Sequence, residues 1–378
     1  MIYIFYNNDP YADDQGGGAE HFRCIHRASK NSHLNFKFIA TRIAQTNEPV
    51  HSDVEYISKG TNFFRYYIGL WFWFFVNKNA ISEHDVFHFH RNYAAWPKYI
   101  LIPKNGKVII TYHGITGIFL KNKLGVLSSP IRRIMMLLER KAVNKADRLI
   151  VVSRRTAESL KEQILLNNYN RVSIIPAVLN TKNFSESMPP DPNLAYKLVI
   201  VSRLSAEKNI KLAIDALFEL VSTGHNYTLT IAGDGDERNK LFVQSQNLGL
   251  ADRITFLGRI PNIQVPSLLQ QHGIVLLTSH VEASPTIVKE AIFAQRPIVT
   301  TDVGDVHEWL DNKSYGFICQ HTVESVAEGI QKASVLVSSG MYNRTINLDD
   351  ISESSIMNRV LRIYDDLSAG SISRIDDI

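Results

Sequence analysis

Short runs rich in β-branched and aromatic residues alternate with longer amphipathic stretches twice over in this chain, and that double alternation constrains its fold more than any other feature. In the first half the runs fall at 2–6, 36–40, 86–90, 108–112, 149–153 and 172–176; in the second they fall at 198–201, 227–232, 254–256, 274–277, 298–300 and 316–319. Strand-length runs separated by helix-length segments predict βαβ units and a parallel sheet. Between the two rounds lies Ser185-Glu-Ser-Met-Pro-Pro-Asp-Pro192, which extends neither periodic structure and reads as an interdomain linker. The expected fold is α/β, with two Rossmann-like domains at 1–185 and 193–354, and 378 residues suffice for each to bury its own core. Ile356, Val360, Ile363 and Tyr364 recur at helical spacing and predict a last helix over 352–367.

Charge is spread unevenly over these halves. The formal net charge is +4, yet residues 1–190 carry 25 Lys plus Arg against 14 Asp plus Glu, a balance of +11, and the remainder carries 16 against 23, a balance of −7. A basic first half predicts an anionic partner such as a phospholipid surface, a pyrophosphate carrier or nucleic acid. No nucleic-acid motif accompanies it, so nucleic acid is the weakest of the three. Cys24 and Cys319 are the two cysteines and lack metal-ligand spacing, which predicts free buried thiols in a reducing compartment. The first residues show no basic region or cleavage site of a signal peptide, and the apolar run 66–76 is too short to span a bilayer. A cytoplasmic protein is expected.

Two carboxylates in Glu282-Ala-Ser-Pro-Thr-Ile-Val-Lys-Glu290 follow the strand-like run 273–278. The first falls in the loop leaving the strand and the second about two turns into the following helix, so both can face the crevice at the carboxyl end of a parallel sheet. The bland alternative is one solvated loop carboxylate and one on a helix surface. Arg203 and Lys208 occupy the corresponding place after the strand at 198–201. Two cations beside free helix-terminal amides can neutralise a diphosphate as it leaves; a surface Arg and a helix-cap Lys is the alternative. Gln15-Gly-Gly-Gly18-Ala-Glu20 follows the first strand and precedes a helical stretch over 19–32, where residues without side chains let amides approach a phosphate. His113 ends another strand, while His88 and His90 alternate on one, so a metal on the three is conceivable, although no further ligand spacing supports it. Asp234-Gly-Asp236 reads as a turn and helix cap rather than a metal motif.

These motifs together resemble retaining glycosyltransferases of GT-B architecture, family 4. Glu282-Ala-Ser-Pro-Thr-Ile-Val-Lys-Glu290-Ala291 is similar to the family's Glu-Gly-x-Pro-x-x-x-x-Glu-Ala, and Arg203-Leu-Ser-Ala-Glu-Lys208-Asn209 to its Arg-Leu-x-x-x-Lys-Gly, with Ala283 and Asn209 standing where Gly is usual. The resemblance implies two Rossmann-like domains facing across a cleft, with the last segment, 355–378, crossing back to the first, acceptor domain, and 193–354 holding the donor. It implies that Arg203 and Lys208 hold the donor pyrophosphate, that Glu290 holds the ribose, and that Glu282 with Ala283, Ser284, Pro285 and Thr286 meets the sugar. Gly258, Arg259 and Ile260 match the loop beside the base, Gly17 and Gly18 the loop over the phosphates, Glu20 an acceptor-side position, and His113 a position near donor-sugar hydroxyls.

By the same resemblance the chain moves a hexose from a nucleotide-diphosphate sugar, UDP-linked by expectation, to a glycan or lipid-linked acceptor in cell-surface polysaccharide assembly of the lipopolysaccharide, capsule or exopolysaccharide type. Neither a further cofactor nor an obligatory metal is implied. A nucleotide-sugar epimerase of related fold and a non-catalytic sugar-nucleotide or glycan-binding protein stay open as alternatives. The aromatic run around Trp71 and the basic amphipathic stretch 131–145 could meet the acceptor, the second also an anionic inner membrane surface, or both could simply pack in the core.

Overall fold

The computed structural model describes residues 1–12, 17–43, 51–60, 62–112, 129–163, 166–184, 187–310, 315–342 and 348–370. The chain forms two compact units, one of Met1–Val178 with Ser352–Ile378, the other of Leu179–Ile351. The first passage between them therefore precedes the proline-rich segment expected to be the linker. Part of that segment is tied to the second unit, where Gln295 Nε2 donates to Ser187 O and Arg296 Nη1 to Met188 O at 2.6 Å.

In the first unit seven parallel strands, β1 (Ile2–Phe5), β2 (Phe36–Arg42), β3 (Val54–Lys59), β4 (Val86–Phe89), β5 (Lys107–Tyr112), β6 (Arg148–Val151) and β7 (Val172–Ile174), lie in the order β3-β2-β1-β4-β5-β6-β7. Helices cover both faces, so the central strands read as continuous apolar runs: β4 and β6 are buried at every position. Successive side chains of β1 divide between the faces, Ile2 and Ile4 joining the core under α1 (Gly17–Ser29) and Phe5 the core under α2 (Phe63–Asn77). The sequence reading missed β3. It is a half-exposed edge strand, Val-Glu-Tyr-Ile-Ser-Lys, whose charges discourage edge pairing and dilute the apolar signal.

The aromatic run is neither all core nor all surface. Asn62 caps α2, its Oδ1 accepting from Phe64 N at 2.8 Å; Tyr66, Leu70, Trp73 and Phe74 then face inward at helical spacing. Phe64, Ile68, Phe72 and Phe75 point to solvent, with Phe64 72% exposed. Further helices of this unit are α3 (Trp96–Leu101), α4 (Ser129–Lys145) and α5 (Arg154–Gln163).

Six parallel strands make the second sheet: β8 (Lys197–Val201), β9 (Thr228–Ala232), β10 (Ile254–Gly258), β11 (Ile274–Leu277), β12 (Ile298–Thr301) and β13 (Gly316–Cys319), in the order β10-β9-β8-β11-β12-β13. This is the doubly wound 3-2-1-4-5-6 order, whose direction of progression reverses between β8 and β11. Its helices are α6 (Ile210–Ser222), α7 (Arg238–Asn247), α8 (Val265–Gln270), α9 (Thr286–Phe293), α10 (Val306–Trp309) and α11 (Val323–Ser338). The last helix, α12 (Glu353–Ser368), returns to the first unit, where Arg27 Nε donates to Glu353 at 2.8 Å and Arg359 Nη2 to Ile174 O at 2.6 Å.

A histidine cluster lies beneath α12. His88 bonds Tyr364 OH through Nδ1 and Thr111 Oγ1 through Nε2, both at 2.6 Å, so its ring is committed to the fold rather than to a metal. His90 stacks on it at 4.6 Å, and His21, 1% exposed, lies 5.3 Å from His90. Burial pushes His21 down from 6.5 to about 4. Because the folded-state value is depressed, the unfolded chain binds the extra proton, and stability is lost as pH falls from about 6.5 towards 4. A shift of that size is worth about 3 kcal/mol. Urea melts at pH 7.5 and 4.5 should show native His21 losing most of that increment relative to His21→Leu; parallel losses in both proteins would refute the assignment.

Candidate functional site

The reversal between β8 and β11 assembles the site within the second unit. After β8, Ser202 N donates to Ala232 O at 3.0 Å, Leu204 is fully buried, and its N donates to Asp234 O at 2.9 Å. Asp234-Gly-Asp236 thus braces the Arg203 loop, as a turn whose Asp234 Oδ1 accepts from Gly235 N at 2.9 Å. A short turn over Ala206–Lys208 follows, and Asn209 adopts the left-handed conformation, φ 46° and ψ 42°, before α6 begins. That conformation explains the substitution at this position: Gly is the least strained residue there, and Asn tolerates it better than most others. The Asn changes the side chain and keeps the turn.

After β11 the chain is stitched to this same loop. Thr278 Oγ1 donates to Asn209 O at 3.0 Å, His280 N to Glu207 O at 2.8 Å, and Thr301 Oγ1 to Ser279 O at 2.6 Å. The consequence is direct contact between residues 74 apart: Lys208 Nζ donates to Glu282 Oε1, which also accepts from Ser279 Oγ at 3.0 Å. Both side chains of this ion pair are about one-fifth exposed, so the pair is buried enough to be ordered and open enough to meet a ligand. Arg203 beside it is exposed. Burial would raise the Glu207 carboxyl, but its own backbone hydrogen bond and the Lys208 and Arg203 charges hold it below the ordinary carboxylate range.

Glu290 is half-buried on α9. It stands just over one turn into the helix, not two, because Pro285 is the N-cap and Ser284 still belongs to the loop. Gly258 ends β10 in the left-handed region, φ 70°, and its carbonyl accepts from Gly233 N at 2.7 Å. Arg259 is exposed and Ile260 packs on the core. With strands about 4.8 Å apart, the carboxyl edge from β10 to β11 runs about 14 Å.

In the first unit Gly17 and Gly18 are the first two residues of α1, the helix that follows β1 in the chain. Glu20 is the hub of an ion-pair group, with Arg23 at 2.6 Å and Arg27 at 2.9 Å. Burial works to raise it, yet the two guanidiniums hold it below its ordinary value. His113 lies outside the described residues. Among the described residues no group of three or more His, Cys, Asp or Glu is arranged to hold a metal ion.

Sequence reasoning missed the layer under the loop. Lys289 and Asp305, both wholly buried, pair at 3.0 Å, and Ser284 Oγ lies 2.6 Å from each. A lysine inside the apolar stretch Thr-Ile-Val-Lys-Glu-Ala-Ile-Phe was the available signal.

Comparison with known proteins agrees with this fold. Residues 16–183 match the family described as Glycosyltransferase Family 4 and residues 185–340 that described as Glycosyl transferases group 1. The phosphatidylinositol N-acetylglucosaminyltransferase GPI3 subunit of Saccharomyces cerevisiae is 27% identical over 241 residues, covering 61% of this chain and 53% of that protein. The chain spans about half the length of the curated relatives it matches. Among solved structures, sucrose-phosphate synthase of Thermosynechococcus elongatus superimposes with TM-score 0.78 at 18% identity over 98% of this chain and 99% of that one. HepE of Anabaena, solved in complex with UDP, gives 0.71 at 17% identity over 97% and 100%. Both sheets, their strand order and the two matched segments lead to one assignment: the chain belongs to glycosyltransferase family 4, on the GT-B pattern of two Rossmann-like domains.

Proposed function

We propose that this chain transfers a hexose from a UDP-linked sugar to a glycan or lipid-linked acceptor, with retention at the anomeric carbon and without an obligatory metal ion, in the assembly of a cell-surface polysaccharide. The observation that carries this reading is the Lys208–Glu282 contact at the strand reversal, with Arg203 exposed in the loop that carries Lys208 and Glu290 half-buried on the helix that follows Glu282. Arg203 and Lys208 neutralise the diphosphate and stabilise the charge that grows on it as the sugar bond breaks. Glu290 accepts from the ribose diol, and charge-assisted bonds of this kind are worth about 1.5 to 3 kcal/mol each. Glu282 and the amides of Ala283 to Thr286 orient the sugar. The acceptor enters on the face from which diphosphate departs, so the departing phosphate oxygen takes the acceptor proton. No protein nucleophile is required.

The test is release of nucleoside diphosphate from a panel of nucleotide-sugars, with and without glycan acceptors. UDP should be released, and the sugar should leave the nucleotide. A product still nucleotide-bound indicates epimerisation, and no turnover of any donor refutes the reading.

The acceptor is met at an anionic membrane surface, the inner face of the cell membrane. Among the described residues no helix is long and apolar enough to cross a membrane. Instead α2 exposes Phe64, Ile68, Phe72 and Phe75, and α4 exposes Ile134, Leu137 and Leu138 beside Arg133 and Lys141. Helix α2 contains no acidic residue, and the one in α4, Glu139, is buried against Asn92 and Tyr112. Each basic residue near an anionic surface adds about 1 kcal/mol, and the apolar side chains add their own burial. Flotation with vesicles containing phosphatidylglycerol should recover the protein, and Phe64→Ser with Phe72→Ser should lower binding roughly tenfold or more. Equal binding to neutral phosphatidylcholine vesicles counts against this surface.

A further inference from the structure

We propose that Lys289 and Asp305 are positioning residues for the sugar end of the site: their buried ion pair, closed through Ser284, sets the 282–286 turn in its working conformation. This inference rests on the donor assignment above and adds to it the machinery that shapes the turn.

Three segments of the carboxyl edge meet at one point. Lys289 comes from α9, one residue before Glu290; Asp305 follows β12; Ser284 lies between Glu282 and the N-cap Pro285. Lys289 Nζ donates to Asp305 Oδ2 at 3.0 Å and to Ser284 Oγ at 2.6 Å, and Ser284 Oγ donates to the same Oδ2 at 2.6 Å, which closes a triangle of hydrogen bonds. The ammonium also sits 5.2 Å from the ring centre of Trp309. Gly304 completes the brace: at φ 55° a Cβ there would meet Ala283 O at 2.9 Å and Pro285 Cδ at 3.0 Å, so the turn rests directly on that backbone.

The chemistry of this brace points to a positional role. A fully buried ion pair is a poor source of stability, since its desolvation offsets its attraction and apolar residues of similar volume often do as well. Asp305 Oδ1 adds to the cost, being buried with no hydrogen-bond partner among the described residues. What an ion pair provides, and apolar contacts do not, is direction. Here that direction is spent on a hydroxyl in the middle of the turn that follows Glu282. Loss of the brace should therefore harm the chemical step more than the nucleotide end, because the hydroxyl it holds lies in the turn after Glu282, whereas Arg203 and Lys208 are carried by the loop after β8.

Two variants test this. Lys289→Met with Asp305→Leu removes the pair and keeps its volume; Ser284→Ala keeps the pair and cuts its link to the turn. Each is measured for kcat and KM with the donor sugar and, by calorimetry, for the Kd of UDP. The expected result is a UDP Kd within about threefold of the native protein, with kcat lower by at least roughly thirtyfold in the double variant and fivefold in Ser284→Ala. Native kcat in Ser284→Ala overturns the proposal, and so does a kcat loss matched by an equal loss of UDP affinity, which marks general damage. Should the double variant fail to fold, Ser284→Ala decides alone. Failure of the donor assignment itself is seen separately, in an unaltered protein that binds no UDP.

Discussion

Replacing Lys208 or Glu290 with alanine should abolish measurable sugar transfer while the protein stays folded. On the proposed assignment the Lys208 ammonium is one of two cations that meet the leaving diphosphate, and removal of one such preorganised group costs roughly 10²- to 10³-fold in kcat. Its loss also leaves Glu282 without the cation that now holds it, so a carboxylate confronts the diphosphate with one fewer positive charge between them. The effect of Lys208→Ala should thus appear in kcat, with donor KM changing less. Glu290→Ala removes the carboxylate proposed to hold the ribose before and during transfer, and should raise donor KM as well as lower kcat. Neither side chain is fully buried, so melting temperatures should stay close to native. Steady-state kinetics with the best donor, alongside thermal melts, check both points. Near-native turnover in either variant means that the donor lies elsewhere.

Gly233→Ala is expected to be the most damaging single substitution in the second unit. A Cβ at Gly233 would lie 1.8 Å from Ser202 O and 2.9 Å from the carbonyl carbon of that residue, and its φ of 142° is one that other residues rarely adopt. The obstacle is backbone, so no rotamer change relieves it. Either β9 moves away from the exit of β8, or the 202–205 loop shifts and carries Arg203 with it. A loss above about 4 kcal/mol is expected, and because the two units can melt separately it should be read from the transition of the second unit. Gly249→Ala is the control: φ is 69° there, but among the described residues no atom beyond its chain neighbours lies within 4 Å of the added carbon, so only the backbone strain of about 1 to 2 kcal/mol remains. Equal destabilisation by both would show that the close approach at Ser202 is unimportant.

Much of this architecture was legible in the chain because parallel strands covered on both faces write themselves as continuous apolar runs. All twelve expected strands are present, β11 and β12 nearly residue for residue. The edge strand β3 was not legible, since a half-exposed strand with Glu55 and Lys59 carries a diluted signal. The aromatic run was legible only as an apolar stretch too short to span a bilayer; its helical form and its partition into a buried face around Trp73 and an exposed face around Phe72 depend on where β3 and β1 lie beneath it.

What the sequence determined by itself, then, is local: the period of each element, the left-handed turn that Asn209 can occupy, and the residue types that suit a diphosphate. These depend on backbone sterics and side-chain chemistry within a few positions. Tertiary structure alone decided that Lys208 touches Glu282, because that contact requires β8 to lie beside β11 although β9 and β10 intervene in the chain. It also decided that Lys289, which a surface helix would leave in water, is wholly enclosed with Asp305 under the turn. Pairing of distant segments is set by the collective packing of both faces of a sheet, and no short window of residues encodes that competition.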